Sequence, residues 1–230
     1  IVLCGSHVRT MQTLMSMQSP LFGRMTGQWH LQPLPFSSLA EFFPKWDADE
    51  RVAVYAVAGG IPAYLNWLNP ESDLENNIRK VILNPGGMFL AEPSFLLYDE
   101  VRELNHYLAV LKAIGKGAHT LDEISTQCFL PTTSANAYLA TLQELYLVER
   151  RLPVTVPPRL RTKSRSGRYH LSDPYFRFYF RFLAPHLDNP PVKPDQVLIS
   201  VRANLRAFVG ATAFEELARQ WVMRQAASGQ

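Results

Sequence analysis

The chain has 230 residues, 47% hydrophobic and 19% charged, and a formal net charge of +3. This composition excludes a disordered or fibrous chain and leaves room for one large domain or two to three small modules with buried cores. No stretch approaches the roughly 20 uninterrupted apolar residues of a membrane span, and the N-terminus lacks the basic flank and cleavage site of a secretory signal, so the expected location is cytoplasmic.

Ile1-Val2-Leu3-Cys4-Gly5-Ser6 is an apolar run closed by turn residues, the pattern of a strand buried on both faces of a parallel sheet. A chain that opens on such a strand is expected to be a fragment of a larger domain. Residues 8–17 read as a short helix, and Gln28 to Leu34 alternates polar with apolar as a half-exposed strand does. Ser38, with Glu41 three positions on, predicts a capped helix that ends near Pro44. Asp49 to Ala58 reads as a helix closed by Gly59-Gly60, and Pro62 restarts one through Leu68. Residues 74–83 and 89–97 are helical in pattern, separated by Asn84-Pro85-Gly86-Gly87. Cys4 and Cys128 stand far apart in apolar or helical surroundings, which points to buried free thiols, and the six histidines show no ligand spacing.

The middle of the chain is the most specific. Asn105 to Lys116 gathers Tyr107, Leu108, Leu111, Ala113 and Ile114 near one helical face and stops at Gly117. Thr120 with Glu123 makes a capping box for a second helix, and Phe129-Leu130-Pro131 turns into a third that begins at Thr132. Two strand-like segments follow, residues 146–154 and 168–172. Three helices and a hairpin in this order predict a winged helix-turn-helix. Between Arg150 and Ser172 stand Arg150, Arg151, Arg159, Arg161, Lys163, Arg165 and Arg168 without a single Asp or Glu.

Read as a nucleic-acid site, the third helix would offer Thr133, Ser134 and Asn136 to base edges, while Arg159, Arg161, Lys163, Arg165 and Arg168 would hold phosphates of double-stranded DNA. The helix residues are uncharged, so phosphate contacts outweigh base reading, and an interdomain or regulatory module stays open beside the DNA reading. Further on, Tyr175 to Phe182 interleaves aromatics with arginines. A stacking platform for single strands is one reading; two apolar stripes on one helix favour a buried core, with Arg177 and Arg181 reaching out or pairing with acids. The prolines of residues 187–195 mark a linker before a last helical stretch.

Seven segments in one order carry a resemblance: Leu3-Cys4-Gly5-Ser6, Ser19-Pro20-Leu21-Phe22-Gly23-Arg24, Leu31-Gln32-Pro33-Leu34, Gly59-Gly60-Ile61-Pro62-Ala63-Tyr64-Leu65, the winged helix, residues 171–178 and residues 208–215. Together they resemble the prokaryotic ATPases often called archaeal-type ATPases, of the AAA+/STAND division of P-loop NTPases. The resemblance implies an α/β remnant plus mostly α chain: the end of a P-loop parallel sheet over residues 1–44, a helical lid over 45–98, the winged helix-turn-helix over 99–172, and the start of a C-terminal nuclease-like α/β domain over 173–230.

It also implies a nucleotide-controlled switch that binds ATP and Mg in the intact parent. Ser6 would be the polar sensor beside the nucleotide, Arg24 an arginine near its phosphates, and Gly60 and Pro62 part of a lid motif against adenine. The local chemistry reads more plainly: Ser6 as a turn serine, Arg24 as a surface arginine, the Gly-Gly-Ile-Pro segment as a turn. No G-x-x-x-x-G-K-[ST] occurs in the chain, so it alone is not expected to bind ATP tightly or hydrolyse it. Glu215 matches the first carboxylate of a nuclease site whose other ligands the chain does not contain, and Glu216 reads as a helix-surface charge. The alternatives are a stand-alone DNA-binding regulator and a winged-helix scaffold for proteins. A sheet edge left open by absent strands would favour self-association.

Overall fold

A computed structural model of the chain describes residues 2–153, 155–161, 164, 166–187 and 193–227. Lys163, Arg165 and most of the proline-rich linker lie outside the described residues. The first half contains α1 (Val8–Met15), α2 (Leu39–Phe42), α3 (Ala48–Ala58), α4 (Pro62–Trp67), α5 (Leu74–Asn77) and α6 (Met88–Tyr98). The second contains α7 (Leu104–Gly115), α8 (Leu121–Cys128), α9 (Thr132–Glu144), β1 (Val148–Arg151) and β2 (Arg168–Leu171), then α10 (Pro174–Phe178), α11 (Ala184–Leu187), α12 (Pro194–Val209) and α13 (Glu215–Ala227). Among the described residues the chain is mostly helical with a little sheet, one antiparallel pair of strands. It divides into two compact units, each made from two stretches of chain: residues 1–32 with 91–170, and residues 33–90 with 171–230.

The core of the first unit lies among α7, α8 and α9. Val110, Leu111 and Ile114 of α7, Ile124 of α8, and Ala135, Leu139 and Leu142 of α9 are buried, as their helical spacing requires. β1 lies along α9 and buries Val148. The returning strand makes a further pairing: Tyr169 N–H donates to the His119 carbonyl at 2.8 Å, and His119 Nδ1 donates back to the Tyr169 carbonyl at 2.8 Å. The residues between α7 and α8 are thereby joined to the hairpin.

The second unit packs around its aromatic helix. Tyr175, Phe176, Phe178, Phe180, Phe182 and Leu183 are buried, and α10 lies against α3. The Tyr175 hydroxyl donates to the Phe89 carbonyl at 2.6 Å, so this large side chain enters the core without an unpaired polar atom. The run is core, as its two stripes predict. Gly60 is held under the strap of residues 33–35: Leu34 N–H donates to the Gly60 carbonyl at 2.8 Å, and a Cβ at Gly60 would run into the Leu34 carbonyl. Gly59, at φ 65°, faces the Pro174 ring. Residues 194–222 form one continuous helix, within which a stretch is long and apolar enough to cross a membrane by length and composition alone. Arg202 and Arg206 interrupt its apolar run, Val197, Leu198 and Val201 are buried, and Arg202 pairs with Glu75.

Four expectations are corrected. Residues 2–7 and 28–34 form no strand; among the described residues the one ladder joins β1 and β2. An apolar extended segment becomes a strand only through a neighbour that takes its N–H and C=O groups, and Val2, Trp29 and Leu31 are instead more than four-fifths exposed. Cys4 is exposed rather than buried, for the same reason. Ser38 does not cap α2, because its backbone is already helical at φ −70° and ψ −17°; the capping box of this region is Asp47 with Glu50, which opens α3.

Candidate nucleic-acid interface

The elements around α9 are held by local hydrogen bonds that the sequence itself specifies. At the start of α8, Glu123 N–H donates to Thr120 Oγ1 at 3.2 Å, while Glu123 Oε2 accepts from the His119 and Thr120 N–H groups, each at 2.8 Å. Those amide bonds, His119 first, hold the Glu123 carboxyl below its ordinary range, and Arg168 adds to the effect. At the other end of α8, Ser125 Oγ donates to the Leu130 carbonyl at 2.9 Å, and Pro131 then leads into α9.

With Ala135, Leu139 and Leu142 turned inward, α9 shows solvent a face of Thr133, Asn136, Ala137 and Ala140. Ser134 is half-buried. Not one residue from Ile124 to Gln143 is charged. This face can offer the Asn136 amide and the Thr133 hydroxyl to a base edge, but no cation.

The cations belong to the hairpin. Arg150 is turned inward: it donates to the Ser164 carbonyl and lies over Gly167, where a Cβ would strike its guanidinium. Arg151 donates to Glu149 Oε1 at 2.8 Å. Arg159, Arg161 and Arg168 are exposed, with Arg161 Nε making one long bond of 3.4 Å to the Val156 carbonyl. Of the seven cations read from the sequence, two are thus committed inside the hairpin and three are presented to solvent.

The residues implied by the ATPase resemblance are divided between the two units. Ser6 and Arg24 sit on exposed turns of the first unit, one on each side of α1, while Gly60 and Pro62 belong to the second. Gly60 is buried beneath Leu34, Pro62 is the exposed first residue of α4, and the sequence has no phosphate cradle. Among the described residues no group of three His, Cys, Asp or Glu side chains is placed to hold a metal. These residues therefore do not fit an ATP–Mg site on their own.

The chain is 36% identical, over 190 residues, to a Methanocaldococcus jannaschii protein named "Uncharacterized protein MJECL04". The match takes in 81% of this chain and 42% of that relative, so the chain spans less than half the length of the protein it resembles. No known family profile matches the chain, and no solved structure does.

The sequence does not disclose the partners of three placed groups. Glu100 is buried and caps α1, accepting from Val8 N–H at 2.7 Å beside His7, in a cleft of about 590 Å³. Arg177 donates to the Leu171 carbonyl at 2.7 Å, the Ser172 carbonyl at 3.0 Å and Glu216 Oε2 at 3.2 Å. Glu216 is thus no idle surface charge; burial first, and then its charge, push the Tyr55 hydroxyl above its usual pKa. His119, by pairing with Tyr169, anchors the hairpin root. A short-range pattern does not show Glu100 with Val8, Arg177 with Glu216, or His119 with Tyr169, because those partners are remote in sequence.

Proposed function

We propose that α7, α8, α9 and the β1–β2 hairpin form a winged helix-turn-helix that binds double-stranded DNA, with the hairpin as its principal grip. The observation that carries this reading is the presentation of Arg159, Arg161 and Arg168 on a hairpin whose root is tied, through His119 and Tyr169, to the turn that opens α8. This anchor holds Arg168, the neighbour of Tyr169, beside the turn that opens α8. Lys163 and Arg165 extend the same charge by sequence. Each phosphate neutralised releases counterions, so the affinity is electrostatic and salt-sensitive. Thr133, Ser134 and Asn136 supply what base reading there is, with Asn136 suited to adenine.

The family resemblance supports a second layer. In a longer protein, ATP and Mg would be held by residues outside this chain, and the nucleotide state would govern when the winged helix engages DNA in the cytoplasm. No step of that chemistry falls to the residues of this chain.

The test is a titration of a fluorescent duplex at about 50 mM and about 200 mM salt. It compares the unaltered chain with a variant in which Arg159, Arg161, Lys163, Arg165 and Arg168 are replaced by Ala. Micromolar or tighter binding that weakens at the higher salt is the expected result, and the variant should show a shallower salt slope. An unaltered chain that leaves the duplex unbound at low salt sinks the reading. Capture of a protein partner that persists at high salt would put a scaffold in its place.

A further inference from the structure

α7, α8 and α9 end in the same way. The amide N–H of Ala118, Leu130 and Leu147 donates to the carbonyl five residues back, at Ala113 (3.0 Å), Ser125 (3.0 Å) and Leu142 (2.9 Å). Just before each of these amides the chain passes through one residue at positive φ: Gly117 at 105°, Phe129 at 54° and Tyr146 at 59°. Glycine is the ordinary occupant, since it has no Cβ to crowd the backbone. Among the described residues Phe129 and Tyr146 are the two non-glycine residues with positive φ, and they bracket α9.

The two differ in what the ring receives in return. Tyr146 lies against the His30 ring at 4.3 Å between centroids. The Phe129 ring is 95% exposed. At Phe129 a disfavoured backbone conformation and a large apolar surface left in water both act against the free chain. Strain held at a surface site of this kind points to a contact made outside the chain. The turn is stiff, fixed by the Ser125–Leu130 bonds and by Pro131, so the ring is held in the turn that leads into α9.

We propose that Phe129 is an apolar anchor of the DNA interface, packing against thymine methyl groups and deoxyribose carbons of the duplex gripped by the hairpin. This inference rests on the DNA-binding reading above. The uncharged stretch around Phe129 suits such a contact, because no carboxylate there meets the phosphates. A ring that touches carbon neutralises no phosphate. Its contribution is therefore independent of salt, unlike that of the hairpin arginines.

The experiment compares Phe129→Gly, Phe129→Asn and Phe129→Tyr with the unaltered chain, measuring thermal midpoint and affinity for an A·T-containing duplex across a salt series. Gly and Asn accept positive φ, so both variants fold, and Phe129→Gly melts higher than the unaltered chain. Each binds DNA about tenfold more weakly at every salt concentration, with the salt slope unchanged, while Phe129→Tyr stays near the unaltered affinity. Binding by Phe129→Gly equal to that of an unaltered chain that does bind overturns this inference alone. A lower melting point for Phe129→Gly also overturns it, because the ring would then be structural. Absence of duplex binding by the unaltered chain overturns the DNA reading and this inference with it.

Discussion

Residues 174–187 of the second unit and the extended segments 2–7 and 28–32 of the first both carry large apolar side chains. The former bury Tyr175, Phe176, Phe178, Phe180, Phe182 and Leu183, whereas not one described residue of the latter is buried. The difference lies in what each pattern needs. A helix satisfies its own backbone and can turn two stripes toward neighbours such as α3, and the one polar group it carries into the core at Tyr175 finds the Phe89 carbonyl. An extended apolar segment depends on another strand for every second hydrogen-bonding group, and composition supplies no such strand.

The most forceful way to break this comparison is Phe178→Ala. A fully buried ring should cost about 3–5 kcal/mol in chemical denaturation, and a loss well under 1 kcal/mol would show that the aromatic helix is not core. Arg177→Ala should cost about 2 kcal/mol by the same measurement, since it removes the donor to two carbonyls and to one oxygen of Glu216. Arg177→Lys should not restore the stability, because an ammonium cannot reproduce the three-way fork. Full rescue by Lys would reduce the role to charge alone.

A smaller effect tests a structure written entirely in local sequence. Thr120→Ala should cost about 1 kcal/mol, read as a lower thermal midpoint. The pH dependence has a definite sign at its partner. The Glu123 carboxyl is held below its ordinary range, so its contribution is present above the pKa of the unfolded chain, about 4.3, and is lost as pH falls through the lower folded value. Glu123→Gln should therefore flatten the loss of stability below about pH 4 relative to the unaltered chain; parallel pH profiles would remove the carboxylate from the cap. The smallest effect belongs to the exposed segment, where Trp29→Ser and Leu31→Ser should each change stability by no more than about 0.5 kcal/mol. A loss of 2 kcal/mol or more would mean that those side chains are covered in solution.

The same contrast divides what the amino-acid sequence discloses from what it hides. Thr120 with Glu123, Gly117, and Pro131 ahead of α9 are signals whose partners lie within a few residues, and the helices and turns they mark are present. The aromatic stripes are legible because helical period alone decides them. The strands expected at Ile1–Ser6 and Gln28–Leu34 depend on remote neighbours, and so do Glu100 on α1, Arg177 with Glu216, and His119 with Tyr169. Of the candidate interface, the basic stretch is readable as a whole, but the division between inward Arg150 and outward Arg159, Arg161 and Arg168 is not, since it is set by Gly167 and the Ser164 carbonyl. The strain at Phe129 is hidden as well, because a glycine-like backbone gives no sign of itself when the residue is not glycine.

The interleaving of the two units has a consequence in time. Residues 33–90 emerge from a ribosome long before their partners from Leu171 onward, with about 80 residues of the first unit made in between. At about 5–20 residues per second that delay is roughly 4–16 s. Throughout it, Val54, Val57 and Phe89 wait without Tyr175 and the helix that covers them. The first unit meanwhile completes its three helices and hairpin. The nascent chain thus spends seconds with one half-built core in water, the interval in which a holding chaperone would decide its yield.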